Sequence, residues 1–104
     1  MNRLIAFMAL ATSVATAAAQ DTPPPIETVQ VVPGVHVLYG QGGNIGVSTG
    51  SDGMFLIDDQ YANLTDKVVE ALAKISPGQP RFVLNTHWHG DHTGGNENFG
   101  KTGV

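Results

Sequence analysis

The chain has 104 residues, of which 41% are hydrophobic and 13% are charged, and its formal net charge at pH 7 is −4. This composition is typical of a globular protein and lacks the high charge and low hydrophobicity of a disordered chain. The acidic balance argues against a nucleic-acid partner, which requires clustered Lys and Arg, and the absence of cysteine excludes a disulfide framework.

Residues 1–19 have the pattern of a secretory signal peptide. Arg3 supplies a positive charge, residues 4–10 form a short apolar run, and small residues lead to an Ala-x-Ala cleavage site that ends at Ala19. Because the apolar run is shorter than the roughly 20 residues of a membrane span, we expect a secreted or periplasmic protein without stable membrane insertion after cleavage. An uncleaved anchor helix is the alternative. Residues 20–26 include three consecutive prolines and are predicted to be a Pro-rich linker.

Five short strands are predicted from apolar and alternating runs that end at glycine or proline turns. The first four follow one another closely, which predicts an antiparallel meander. The fourth is a continuous apolar run that ends in Asp58 and Asp59, and the fifth is short and largely apolar. The predicted strands are residues 27–32, 35–39, 44–49, 54–57 and 81–85.

One amphipathic helix is predicted between the fourth and fifth strands. Its apolar residues recur with the helical period, Asn63 is its predicted N-cap, and residues 76–78 end it. A strand that follows a helix in this way is typical of a βαβ crossover, which buries both faces of the sheet. The sequence therefore predicts an α/β fold. The apolar stripe consists of Leu64, Val68, Ala71, Leu72 and Ile75.

Three of the four histidines lie within six positions directly after the fifth predicted strand. Ligands of α/β sheets bind beyond the carboxyl ends of the strands. His87 and His89 are two residues apart, so in an extended segment both imidazoles point to one side and can bind one divalent cation. Gly90 allows a turn that directs Asp91 and His92 to a second point nearby. The spacing predicts two metal ions. Imidazole and carboxylate ligands suit zinc well, and iron or manganese can also bind to them. A solvated polar loop is the alternative.

Two other residues with functional potential are expected to be structural. His36 stands alone in the second predicted strand, with no other candidate ligand close in sequence. Trp88 lies between two histidines and therefore points away from them, so we expect it to pack against the protein rather than to contact a substrate.

The six-residue pattern His-x-His-x-Asp-His, from His87 to His92, resembles the signature of the metallo-β-lactamase superfamily. The order of the preceding segments supports the resemblance, because it is that of the N-terminal half of this fold. The segments are residues 44–47, residues 54–58, a helix and residues 82–87. The match covers nearly all of the chain after the predicted signal peptide and linker. The pattern is specific to the superfamily but not to one substrate.

The resemblance implies the N-terminal αβ half of an αβ/βα sandwich, with residues 27–104 as an incomplete metallo-β-lactamase-like domain whose second half is missing. In that family a third histidine of the first site, a bridging aspartate and a last histidine come later in the sequence. After His92 this chain has no histidine, aspartate or cysteine. We therefore expect a longer natural protein, with the next histidine about 60–80 residues further on, and an inactive fragment.

The resemblance also implies a role for each site residue. His87 and His89 resemble the ligands of a first zinc, and Asp91 and His92 resemble the ligands of a second. Asp91 is also the expected catalytic residue, because it would help to orient a bridging hydroxide. Asp58 resembles an aspartate that contacts the metal ligands without binding the metal; a turn or cap residue is the alternative.

The function implied is that of an exported, zinc-dependent, β-lactamase-like hydrolase. A metal-bound hydroxide would attack the carbonyl of a small-molecule substrate, which could be a β-lactam, a lactone, an ester or a thioester. The acidic charge and the predicted export disfavour the nucleases of the superfamily, and export disfavours a cytosolic thioesterase. The alternative is a periplasmic metal-binding or redox-accessory module that performs no hydrolysis.

Overall fold

The computed structural model describes residues 22–104. The predicted signal peptide, residues 1–19, lies outside the described residues, and so do the first two residues of the predicted linker. Residues 22–26 precede the first strand and form neither helix nor strand. Within residues 22–104, none of the helices combines the length and the hydrophobicity needed to cross a membrane.

Five strands form one sheet in the order of the sequence, β1 to β5. The first four are antiparallel neighbours, and β5 pairs with β4 in parallel. The predicted meander and the predicted crossover to a fifth strand are therefore confirmed. The strands are β1 (Glu27–Val32), β2 (Val35–Tyr39), β3 (Ile45–Gly50), β4 (Gly53–Ile57) and β5 (Phe82–Leu84).

The connection between β4 and β5 is a 3₁₀ turn, Ala62–Leu64, followed by the helix α1, Thr65–Ile75. The predicted N-cap Asn63 is wrong, because Asn63 lies inside the 3₁₀ turn and the residue before α1 is Leu64, which makes no side-chain cap hydrogen bond. The turn already brings the backbone into a helical conformation, so the helix starts without a polar cap. The Thr65 hydroxyl donates to the Ala62 carbonyl oxygen at 2.9 Å, which joins the turn to the helix.

The helix α1 covers one face of the sheet and forms the core with it. The apolar stripe of the helix meets the inward-facing side chains of β2, β3 and β4, as the alternating burial along these strands shows. Each fully buried aliphatic side chain contributes on the order of 2 kcal/mol to folding. The core residues include Leu38, Ile45, Val47, Leu56, Leu64, Val68, Leu72 and Phe99.

The opposite face of the sheet is apolar and open. Phe82 and Leu84 on β5 are 51% and 55% exposed, and each lies directly opposite an apolar residue of β4. The expectation that the crossover buries both faces is therefore wrong for this face within the described residues. We call it the open sheet face. It consists of Val29, Val37, Tyr39, Phe55, Ile57, Phe82 and Leu84.

Two short helices follow β5. The first, α2, spans Gly90–Thr93, and the second, α3, spans Asn96–Lys101 and buries Phe99 in the core. The backbone N–H of Asp58 donates to the Leu84 carbonyl oxygen at 2.9 Å, which extends the pairing of β4 and β5 by one residue. The ends of these two parallel strands therefore meet at one edge of the sheet, where the histidine motif begins.

Candidate metal centre

Asp58 lies at the centre of the cluster at this edge. It follows β4 directly, is 3% exposed, and has a backbone φ of +65°. Its Oδ1 atom accepts a hydrogen bond from the Thr86 backbone N–H at 2.7 Å. Its Oδ2 atom lies 2.7 Å from the Thr86 hydroxyl and 2.7 Å from His92 Nδ1. A left-handed backbone is uncommon in a non-glycine residue, although Asp adopts it more readily than most, and here several contacts fix the residue in place.

The protonation of Asp58 is consistent with these contacts. Burial acts to raise the pKa of the carboxyl group, but the hydrogen bonds from His92 and Thr86 together outweigh it, so the pKa lies below the ordinary value. Asp58 is therefore ionised at neutral pH and can only accept hydrogen bonds.

An ionised Asp58 determines which ring nitrogens carry protons. The Thr86 hydroxyl must donate to Asp58, so it accepts from His87 Nδ1, which lies 2.9 Å away. His92 Nδ1 must likewise donate to Asp58. A histidine that donates from Nδ1 in this way has its Nε2 atom on the side where a metal ion can bind. One carboxylate thus orients two histidines, one directly and one through a threonine.

The donor atoms of the predicted ligands form two pairs. His87 Nε2 and His89 Nδ1 lie 3.1 Å apart. His92 Nε2 and Asp91 Oδ2 lie 3.4 Å apart. Two ligand atoms at about 2.0–2.1 Å from one tetrahedral zinc lie about 3.3 Å from each other. Each pair therefore has a spacing that fits two ligands of one zinc ion.

The two pairs are adjacent. The ring centroids of His87 and His92 lie 4.0 Å apart, which brings the pairs into one cluster. No set of three or more His, Cys, Asp or Glu side chains in residues 22–104 converges on a common point that could hold an ion. The structure thus brings all four residues named from the sequence together, as two facing pairs of donors.

Neither Trp88 nor His36 belongs to the two donor pairs. Trp88 is 83% exposed, so the expectation that it packs against the protein is wrong. Its ring packs in a T-shaped arrangement with the neighbouring imidazole of His89, with centroids 4.9 Å apart. His36 lies inside β2 opposite Val47 of β3, and its Nδ1 atom is buried without a hydrogen-bond partner within the described residues. This position in the sheet agrees with a structural role.

The sequence did not point to three residues that support the cluster. The hydroxyl group of Thr86 connects Asp58 with His87. The position of a threonine directly before a predicted ligand, at the end of a strand, could have suggested this role. Asp59 is fully buried, and its Oδ1 atom accepts a hydrogen bond from the Gly95 N–H at 3.0 Å. Burial raises the pKa of Asp59 to about 6, against the opposing effect of this hydrogen bond.

Gln60 is the third of these residues. It is fully buried, has a φ of +58°, and donates from Nε2 to the carbonyl oxygen of Gly43. The backbone carbonyl oxygen of Gln60 accepts a hydrogen bond from the Gly95 N–H at 3.2 Å. No local pattern marks Gln60, because both partners are distant in the sequence.

The α/β sheet thus carries imidazole and carboxylate donors beyond the ends of two parallel strands, where ligands of such sheets bind. The family model described as the metallo-beta-lactamase superfamily matches residues 35–104. The chain belongs to this superfamily, which the sequence motif predicted. A comparison with curated proteins found no match.

Solved structures of metallo-β-lactamases share the fold. FIM-1 from Pseudomonas aeruginosa, in a mono-zinc form, is 20% identical with a TM-score of 0.71, and the match covers 83% of this chain and 42% of that one. A mutant of FEZ-1 from Legionella gormanii is 16% identical with a TM-score of 0.69, covering 81% and 33%. BJP-1 of Bradyrhizobium japonicum, a subclass B3 enzyme, is 27% identical with a TM-score of 0.67, covering 80% and 32%.

These matches confirm the predicted fold class, an α/β chain corresponding to one part of the metallo-β-lactamase sandwich. The chain spans between about a third and two fifths of the length of the structures just described.

Proposed function

We propose that this chain is the ligand-bearing part of an exported zinc hydrolase that resembles the β-lactamases and acts on a carbonyl group of a small molecule. Superfamily membership supports a metallo-hydrolase. The zinc ions, the substrate and the export are the parts that this proposal adds.

The observation that carries the proposal is the spacing of the two donor pairs. His87 and His89 would hold one zinc through Nε2 and Nδ1, and their separation of 3.1 Å suits two ligands of one ion. Asp91 and His92 would hold a second zinc through Oδ2 and Nε2, 3.4 Å apart. Asp58 supports both pairs, because a carboxylate that accepts from the other ring nitrogen fixes the orientation of a histidine ligand.

The chain's own residues have distinct parts in the proposed reaction. Zinc, when bound, supplies Lewis acidity and lowers the pKa of water to near 7. Asp91 has a second carboxylate oxygen, which can accept a hydrogen bond from the attacking water and so orient it toward a carbonyl carbon. Asp58 stays ionised and orients the rings of His87, through Thr86, and of His92, so that Nε2 of each would face the metal.

The substrate class is proposed from the relatives and from the exposure of the cluster. Relatives with the same fold are named as β-lactamases, so a β-lactam is the first candidate, followed by a lactone, an ester or a thioester. His87 and His89 are exposed, which leaves room for a small molecule beside them. The net charge of −4 disfavours a nucleic acid, and the apolar run of residues 4–10 supports export.

Metal analysis of the purified chain tests the proposal. We expect zinc to bind, and His87→Ala and Asp91→Ala each to remove one equivalent, whereas His36→Ala serves as the matched control and retains both. A wild-type chain that takes up no zinc from an excess would refute the proposal.

Turnover is tested separately. We expect the 104-residue chain to bind zinc weakly and to leave a chromogenic β-lactam, a lactone and a thioester unchanged, because the superfamily completes its metal sites with further ligands. Hydrolysis by this chain that a chelator abolishes would contradict that expectation.

A further inference from the structure

A loop of glycines lies against the Asp91–His92 pair. We call residues 40–43, between β2 and β3, the glycine loop. A Cβ atom added to Gly43 would lie 2.6 Å from His92 Cε1 and 2.8 Å from His92 Nε2. A Cβ atom added to Gly42 would lie 2.7 Å from Asp91 Cβ. These distances are too short for any side chain, so the backbone of the loop is in direct contact with this donor pair.

Gln60 holds the glycine loop from the protein interior. Its side-chain amide is fully buried and donates to the Gly43 carbonyl oxygen. Its Oε1 atom lies against the other end of the loop, since a Cβ atom on Gly40 would come within 2.5 Å of it. Gln60 thus contacts both ends of the loop.

Residues 58–60, which include Gln60, also hold the other side of the Asp91–His92 pair. The Asp59 N–H donates to the His92 carbonyl oxygen at 3.1 Å, and the Gln60 carbonyl oxygen accepts from the Gly95 N–H at 3.2 Å. His92 is therefore held between a helix and a loop that are both attached to residues 58–60. The left-handed backbone of Gln60, which is unfavourable for a residue with a side chain, is maintained by these attachments.

We propose that Gln60 and Gly43 are positioning residues that hold the glycine loop against His92 and thereby set the metal affinity of the Asp91–His92 pair separately from that of the His87–His89 pair. This inference rests on the proposed zinc function. It assigns to Gln60 a role that acts through Gly43 and His92, without contact with the metal.

The asymmetry between the two pairs supports this proposal. Cβ atoms added at Gly42 and Gly43 would meet Asp91, His92 and Tyr61. His87 and His89 are exposed. A change in the loop should therefore reach one pair and spare the other.

Zinc titration followed by the ring nitrogen signals of the histidines in NMR spectra tests the proposal, because each ring reports on its own pair. We expect Gly43→Ala to raise the apparent dissociation constant at His92 by about tenfold or more, as for other residues that support metal ligands. The constants at His87 and His89 should change by less than about twofold. Gly100→Ala is the matched control, since nothing lies within 4 Å of a Cβ atom there, and all constants should stay unchanged.

Gln60→Met provides an independent variant. It keeps the length of the side chain but removes the donor to Gly43, so it should weaken zinc binding at His92 without adding a clash. Gln79→Met is its control, because Gln79 also donates to a carbonyl oxygen, that of Thr102 at 3.2 Å, but at the surface. Circular dichroism identifies a variant that fails to fold, and where Gln60→Met fails, Gly43→Ala alone decides.

Two results overturn this inference and leave the proposed function intact: unchanged constants at His92 in folded variants, or equal weakening at all three histidines. A third result, a wild-type chain whose ring signals do not respond to zinc, overturns the proposed function and this inference together.

Discussion

The Oδ2 atom of Asp58 lies 2.7 Å from the Nδ1 atom of His92, although 34 residues separate them in the sequence. The same oxygen accepts from the Thr86 hydroxyl, which in turn contacts His87. The two predicted donor pairs therefore depend on one carboxylate. Because β4 and β5 are parallel, the residue after β4 reaches both the start of the motif and its end.

Asp58→Asn should weaken zinc binding at both pairs. Asparagine tolerates the left-handed backbone of this position, so the main effect is the loss of the negative charge that accepts from Thr86 and His92. We expect the zinc affinity to fall by about 10- to 100-fold, measured by competition with a chromogenic chelator. Asp52→Asn, an exposed aspartate, is the control. Equal affinities in the two variants would contradict the role assigned to Asp58.

Thr86→Val should change the protonated nitrogen and the zinc affinity of His87 and leave the position of His92 unchanged. Valine has nearly the shape of threonine but lacks the hydroxyl that connects Asp58 with His87 Nδ1. We expect the proton of the His87 ring to redistribute between its two nitrogens, visible in their ¹⁵N shifts, and zinc affinity at His87 to fall by about tenfold. Thr28→Val on β1 should have no effect. A His87 ring with unchanged ¹⁵N shifts would show that the relay does not operate.

Asp59 should make the metal-free protein less stable as the pH rises. Its pKa is raised to about 6 in the folded chain, against about 3.9 when unfolded. The protonated form therefore favours folding, and its contribution is fully present below pH 4. As the pH rises to about 6 this contribution is lost, and the free energy of unfolding falls by up to about 3 kcal/mol.

Urea unfolding between pH 4 and pH 7, in the presence of a chelator, measures this effect. Asp59→Asn cannot ionise and can still accept from the Gly95 N–H, so its free energy of unfolding should exceed that of the wild type by an amount that grows between pH 4 and pH 6. Asp52→Asn should follow the wild-type curve. A constant difference between Asp59→Asn and the wild type across this range would contradict the shifted pKa.

Zinc should stabilise the fold in proportion to its binding. A ligand present at 100 times its dissociation constant adds about 2.7 kcal/mol, which for a domain of this size raises Tm by roughly 10–20 °C. We expect His92→Ala to reduce this shift and His36→Ala to preserve it, as measured by thermal unfolding. A Tm that does not change with zinc concentration would contradict binding to the folded state.

Local patterns predicted the elements well because alternation and helical periodicity act over a few residues. The first two strands have the predicted bounds, and the other three differ by one residue at one end or both. The beginning of α1 was not predicted, because the 3₁₀ turn replaces a polar cap and its formation depends on packing. The exposure of Trp88 was also missed, since it lies beyond the end of β5 and the alternation of side chains does not reveal whether a neighbour covers one of them.

The candidate site was predictable only where its residues are close in sequence. His87, His89, Asp91 and His92 form a compact motif, and the structure brings them together. The contacts of Asp58 span 28 and 34 residues, and only the resemblance to a family suggested them. The bond from Gln60 to Gly43 spans 17 residues and has no local signal at all.

The open sheet face has a consequence for handling the protein. Aromatic and aliphatic side chains such as Phe82 and Leu84 remain in water there, and large apolar patches promote self-association. Sulfate is excluded from protein surfaces and strengthens apolar contacts. The chain should therefore salt out early in an ammonium sulfate fractionation, and Leu84→Lys should delay its precipitation.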